Sequence, residues 1–262
     1  MTERVAESGL THMLNTADSL APLPLFEYFV GTSGSEFMTG RLECVAQERA
    51  EAVLERVLHF RNNYARFEKP DDVNALLELF SGVHLRSGYV LDYDLVREGE
   101  AMTRIRPFAR PINSEEAVLA IDEQPDQEGH GEQAVETLYQ YLSYDKTPTG
   151  IFEYVFFVQE LWSTRASWHE AEWLASTPIF TQARFDEIVQ GARKVEELKT
   201  PAIYGPEAVV DSKTNSGQVR FLVHTPMGWE RIYWLEVGVE ADGRLDVRAG
   251  DIVVDLGQGE NF

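Results

Sequence analysis

The chain is predicted to be an α+β protein, with N-terminal amphipathic helices packed on an antiparallel sheet and a C-terminal β-meander. Three observations predict it. Apolar residues recur at three- and four-residue spacing through residues 42–67, the mark of a helix with one buried stripe. At residues 88–96, GYVLDYDLV, the period drops to two, as a half-buried strand requires. From Glu207 onward, short β-branched and aromatic runs alternate with turn residues.

Residues 1–40 read as a partly ordered lead-in with a short strand near Phe26–Val30, because prolines and a Gly/Ser-rich turn flank a brief aromatic run. The first helix follows, with Val45, Val53, Val57, Phe60 and Tyr64 on its stripe. Pro70 ends it, Asp71 or Asp72 can cap the next helix, and Val73, Leu76, Leu77 and Phe80 form that helix's buried face. The strand at 88–96 sets Tyr89, Leu91, Tyr93 and Leu95 against a wet face carrying Asp92 and Asp94. MTRIRPFARP is its hairpin partner, kept at an edge by Pro107 and Pro111.

Ser114, Glu115 and Glu116 look like a helix start, broken by QPDQEGHG and resumed in GEQAVETLYQYLSYD. IFEYVFFVQELW reads as a buried strand from its β-branched and aromatic content, with TRASWH as its hairpin partner. ARFDEIVQGARKVEELK reads as a helix with Phe185, Ile188, Val189, Ala192, Val195 and Leu198 on one side. TPAIYGP looks like a linker, so the main domain is placed at 41–200 and the meander at 201–262, either separate or continuous with the main sheet. Inside the meander, the Asp-Gly pair of ADGR is a hairpin signal.

Charge bounds the function. Forty-four acids against 23 bases give a net charge of −21, which repels nucleic acids and anionic lipid surfaces. No run of apolar residues is long enough for a membrane span, and the N-terminus lacks the apolar core of a signal peptide. A single cysteine, Cys44, fits a reducing compartment, so a cytoplasmic protein is expected. Glu43 beside it disfavours a thiolate, and a buried or inert cysteine is the expectation.

Short catalytic signatures are absent: no G-x-S-x-G elbow, no phosphate-binding Gly-rich loop and no helical His pair. Asp92 and Asp94 on one strand face, with His169 and Glu172 of WHEAEW, could hold a divalent cation and activate water, a metal-assisted hydrolase. The leading reading is different. Between Arg110 and Lys146 there is no Lys or Arg, while Glu115, Glu116, Asp122, Glu123, Asp126, Glu128 and Glu132 are crowded together. Tyr139 and Trp168 follow, and aromatics bordered by uncompensated carboxylates suit a surface that covers a basic protein site. An acidic binding protein of the immunity or inhibitor type, needing no cofactor, is therefore expected.

HLRSGYVLD, FARP and SWH also carry a resemblance. His84, Arg86, Gly88, Tyr89, Leu91 and Asp92, then Ala109, Arg110 and Pro111, then Trp168 and His169, resemble a pattern in a group of uncharacterised bacterial proteins. The resemblance spans about residues 75–190 and implies a bacterial α+β protein, with no activity attached. The same residues have a structural reading: Gly88 as a turn before the strand, and Asp92 paired with Arg86 or Arg110.

Overall fold

The computed structural model describes residues 41–64, 73–98, 102–112, 138–163, 176–226 and 229–258. The lead-in, the stretch 113–137 and the segment 164–175 with its TRASWH hairpin lie outside them. The class is mixed α+β around a large antiparallel sheet.

That sheet has seven strands. Its path runs β1 (Glu43–Cys44), β8 (Glu207–Asp211), β9 (Ser216–Thr225), β10 (Trp229–Val239), β11 (Leu245–Gln258) and β7 (Glu197–Leu198). β6 (Thr177–Ile179) pairs with β9 beyond the end of β8, so both short strands share one edge of β9. Two smaller sheets stand apart. β2 (Val83–Leu85) pairs with β5 (Leu142–Tyr144), and the hairpin strands β3 (Tyr89–Glu98) and β4 (Met102–Pro111) pair with each other.

Among the described residues, four α-helices flank the sheets: α1 (Gln47–Tyr64), α2 (Val73–Leu77), α3 (Pro148–Ser163) and α4 (Gln182–Gly191). The period-two alternation of β9 and β10 explains their placement. Val219, Phe221, Val223, Tyr233, Leu235 and Val237 turn to one face and share a buried cluster with α1 and α3. Leu222, Ile232 and Trp234 turn to the other, where Phe185, Ile188 and Val189 of α4 meet them.

The central element corrects an expectation. IFEYVFFVQELW is the body of helix α3, not a strand. Every residue from Gly150 to Leu161 is buried, and a buried run of that length, apolar but for Glu153, Gln159 and Glu160, exceeds an ordinary strand. Its start is also coded as a helix. The Thr147 hydroxyl accepts from the Gly150 amide at 3.0 Å, and Pro148 stands in the first turn, where its missing N–H costs nothing. The helix carries apolar residues around its whole circumference because it is enclosed, and its two acids are buried with arginine partners. Phe152 and Phe156 pack against Phe180 and Phe221 with ring centroids 5.6–6.3 Å apart, mostly edge to face.

Two carboxylates are buried with it. Glu153, 0% exposed, accepts from the Arg49 guanidinium at 2.7 Å and from the Gly82 amide at 2.6 Å. Seven residues on, Glu160 pairs with Arg61. The acids of α3 and the arginines of α1 thus neutralise each other where neither could be buried alone.

Other boundaries shift. Glu43 and Cys44, read as helix, form an edge strand against β8, and Cys44 is exposed rather than buried. The helix expected over ARFDEIVQGARKVEELK ends at Gly191. Residues 196–199 then run extended along β11, with the Glu196 and Lys199 amides donating to its carbonyls at 2.8 and 2.7 Å. Val195 and Leu198 are therefore exposed, not part of an apolar stripe. LSYD, read as the end of a helix, follows one 3-10 turn at Tyr139–Tyr141, and its first three residues form strand β5.

The ADGR hairpin joins β10 to β11 as its Asp-Gly pair predicts. Gly243 has φ +90, and a Cβ there would sit 2.7 Å from the Tyr154 hydroxyl, which donates to the Gly243 carbonyl at 2.8 Å. Only glycine meets both demands. No helix among the described residues is long and apolar enough to cross a membrane.

Candidate functional site: a tyrosine–arginine platform

The small sheet of β2 and β5 turns one face to the core and one outward. Val83 stands opposite Tyr144 and Leu85 opposite Leu142, and Val83, Leu142 and Tyr144 are buried. Between these rows, His84 lies opposite Ser143, and both are exposed. The ladder runs one step further, with the Arg86 amide donating to the Tyr141 carbonyl at 2.8 Å. Strand alternation therefore puts His84 and Arg86 on the outer face beside Ser143 and Tyr141.

A turn completes the group. Gly88 adopts φ +86, a region that favours glycine, and the Tyr89 amide donates to the Arg86 carbonyl at 3.2 Å. The chain doubles back so that the Tyr89 and Tyr141 rings lie 4.4 Å apart, tilted by 36°. The Arg86 guanidinium stands 5.7 Å from one ring centroid and 5.9 Å from the other, within cation–π reach of both. Exposed Ile112 donates its amide to the Gly88 carbonyl at 3.0 Å and borders the group.

His84 Nε2 lies 2.9 Å from Asp145 Oδ1. With the two side chains 50% and 58% exposed, water screens this pair, and it contributes little to stability. The platform thus presents two aromatic faces with polar tips, a guanidinium, an imidazole, a hydroxyl and a carboxylate. Tyrosine and arginine at a surface are the residues that concentrate contact energy when a partner excludes water.

The residues singled out from the sequence are distributed as follows. Asp92 is buried, and both of its oxygens are engaged: Arg110 Nε donates to Oδ2 and the Tyr93 amide donates to Oδ1 at 2.9 Å. It is not a solvated carboxylate on a wet face, and its pairing with Arg110 is one of the two pairings expected. The Asp94 side chain, His169, Glu172 and Trp168 lie outside the described residues, as do Glu115, Glu116, Asp122, Glu123, Asp126, Glu128 and Glu132. Among the described residues, no three His, Cys, Asp or Glu side chains are grouped to hold a metal ion. Tyr139 is buried in the main cluster, so its ring belongs to the core and not to a docking surface.

Sequence reasoning saw half of the platform. His84, Arg86, Gly88 and Tyr89 stood out together, whereas Tyr141, Ser143 and Asp145 were hidden by a helical reading of YQYLSYD. The alternation of Tyr141, Ser143 and Asp145 with Leu142 and Tyr144 was the signal that could have found them. Comparison with protein-family models, with curated proteins and with solved structures finds no match.

Proposed function

We propose that the protein is an acidic binding protein of the cytoplasm that masks a basic surface on another protein, in the manner of an immunity or inhibitor-type protein. The observation that carries this reading is the stack of Tyr89, Arg86 and Tyr141 on the outer face of the small sheet rather than in the core. Charge supports it. Arg49, Arg61, Arg110, Arg184, Arg220, Arg244, Arg248, Lys194 and Lys199 already have carboxylate partners within the chain. The surplus of 21 negative charges is then available to the outside, where it accelerates encounter with a positively charged partner.

Sequence position adds a further argument. Ile112 borders the platform, Tyr141 belongs to it, and the sequence between them holds eight acids.

The test uses the purified chain and a Tyr89→Ala/Tyr141→Ala variant as parallel baits in native cytosol. Each is run at low salt and at roughly 0.5 M, where the Debye length falls to about 4 Å. The expected result is a basic protein held by the wild type at low salt, weakened by salt, and lost by a variant whose circular dichroism is unchanged. A retained set that is identical for both baits, or that contains no basic protein, would overturn the reading.

A further inference from the structure

Nine cations named above have carboxylate partners, and His84, on the same outer face as Arg86, pairs with Asp145. Arg86 differs. Among the described residues its guanidinium makes no ion pair and no hydrogen bond, although the chain holds 44 acids. It is exposed, so its donors are open to a second molecule. The Tyr89 and Tyr141 rings are half-buried, and their hydroxyls have no hydrogen-bond partner among the described residues either.

What sets Arg86 apart from an ordinary unpaired surface cation is how it is held. Its guanidinium carbon stands 5.7 Å and 5.9 Å from ring centroids that are themselves 4.4 Å apart. The guanidinium therefore flanks the stacked pair, nearly equidistant from both rings, and is not sandwiched between them. Cation–π attraction to two rings restrains the side chain before anything binds, so less freedom is lost on binding. Arg41 and Arg193 supply the contrast. Both are exposed, and neither has a ring or a carboxylate against it among the described residues.

We propose that Arg86, Tyr89 and Tyr141 form a carboxylate-binding subsite, which the partner protein fills with an aspartate or glutamate side chain. The subsite rests on the binding reading above and adds what the partner must bring to it. A partner that covers the platform also covers Arg86. A guanidinium desolvated without an acceptor, or pressed against another cation, opposes association. The docking surface is therefore basic around the platform but carries one carboxylate over Arg86. The two oxygens of a carboxylate match the parallel donors of a guanidinium, and tyrosine hydroxyls are further donors that a carboxylate accepts. A phosphate would suit the same fork, but each added negative charge works against the net −21 of the chain, so the singly charged carboxylate is the better fit. The same arrangement supplies specificity: a merely cationic surface is drawn in by the acids and rejected at Arg86.

The test turns on the sign of one effect. Arg86→Glu makes the chain more acidic still, so a partner recognised by charge alone should be retained more strongly by this variant. A partner whose carboxylate meets Arg86 should instead be released, with retention falling at least about tenfold. Arg86→Gln, which removes the charge without reversing it, should fall in the same direction by less. Both variants serve as baits in native cytosol beside the wild type, with circular dichroism as the check on folding. Unchanged or increased retention by Arg86→Glu would overturn the proposal.

A second measurement needs no partner. The Arg86 Nε–Hε resonance and the Tyr89 and Tyr141 ring resonances are followed by NMR while glutamate blocked as its N-acetyl α-amide is added. The titration is run at about pH 6, where the glutamate is ionised. The expected result is a saturable shift at Arg86 and both rings, at least about tenfold tighter than at Arg41 and Arg193, and none with glutamine blocked in the same way. An equal response at the three arginines, or an equal response to glutamine, would overturn the subsite. Absence of any basic protein on every bait would overturn the binding reading and with it the protein source of the carboxylate, whereas the subsite itself stands or falls with the titration.

Discussion

Replacing Arg49 by methionine removes the guanidinium that neutralises Glu153 and keeps most of the apolar stem. Glu153 has no exposed surface, and only the Gly82 amide at 2.6 Å would remain to it. Removing one partner of a buried ion pair costs about 3–5 kcal/mol. Arg49 itself is 35% exposed, so water can approach the vacated position and screen the carboxylate. The low end of that range, about 3 kcal/mol, is the expected loss. Against a typical stability of about 5–15 kcal/mol, this is a large fraction.

Glu153→Gln is the informative counterpart. The amide keeps an oxygen for the Gly82 N–H, and the stranded guanidinium can turn to solvent, so a loss of about 1 kcal/mol is expected. Urea unfolding followed by circular dichroism, on both single variants and the double variant, closes the cycle. The double variant should be less destabilised than the sum of the singles by about 1–2 kcal/mol, because the two residues are in direct contact. Additive losses, or an Arg49→Met cost below that of Glu153→Gln, would refute the claim that Arg49 is what makes the buried carboxylate tolerable.

Three further outcomes are expected. Gly217→Ala should cost about 2–3 kcal/mol in thermal unfolding, as overpacking does, because its Cβ would lie 2.3 Å from Ile151 Cδ1 and 2.4 Å from the Val209 carbonyl; an unchanged melting temperature would mean that α3 and β8 yield freely. Burial pushes the Tyr144 hydroxyl up to about 12, and Tyr154 is raised too, by burial first and then by the neighbouring Tyr139, Tyr144 and Asp242. Since both are raised above the unfolded value near 10, their contribution is full below it and is lost as pH climbs through the folded values. The melting temperature should fall from about pH 10 upward, and Tyr144→Phe should flatten that fall; equal slopes in both proteins would contradict it. Arg110→Ala strands the Asp92 carboxylate and should speed amide exchange in β3 and β4 more than in β9 and β10, whereas uniform exchange would show that the pair does not hold the hairpin.

How much of this was legible beforehand varies with the range of the interactions involved. The hairpin of β3 and β4 was readable, because alternation and flanking prolines are local properties of GYVLDYDLV and MTRIRPFARP. The β10–β11 turn was readable for the same reason, through its Asp-Gly pair. α3 was misread because a run that is buried on every side, with only Glu153, Gln159 and Glu160 polar, has little periodicity to distinguish a strand from an enclosed helix; its length and the Thr-Pro start carried the answer. The end of α4 was misplaced because KVEEL keeps helical spacing past Gly191, while the backbone hydrogen bonds that pull it straight come from β11, more than fifty residues away.

The candidate platform shows the same division. His84, Arg86, Gly88 and Tyr89 are close in sequence, and their spacing marked them. Their neighbours Tyr141, Ser143 and Asp145 join them only because β2 and β5 pair across more than fifty residues.

By itself, then, the sequence determined the mixed class, the excess negative charge and the hairpins, since composition, alternation and turn chemistry act within a few residues. Tertiary structure alone decided that α3 is enclosed, that Glu153 and Glu160 are neutralised by α1, and that Arg86 stands beside Tyr141 with no carboxylate among the described residues to meet it. Each of those depends on which distant strand or helix lies alongside, and a cation's charge does not reveal which carboxylate it will meet.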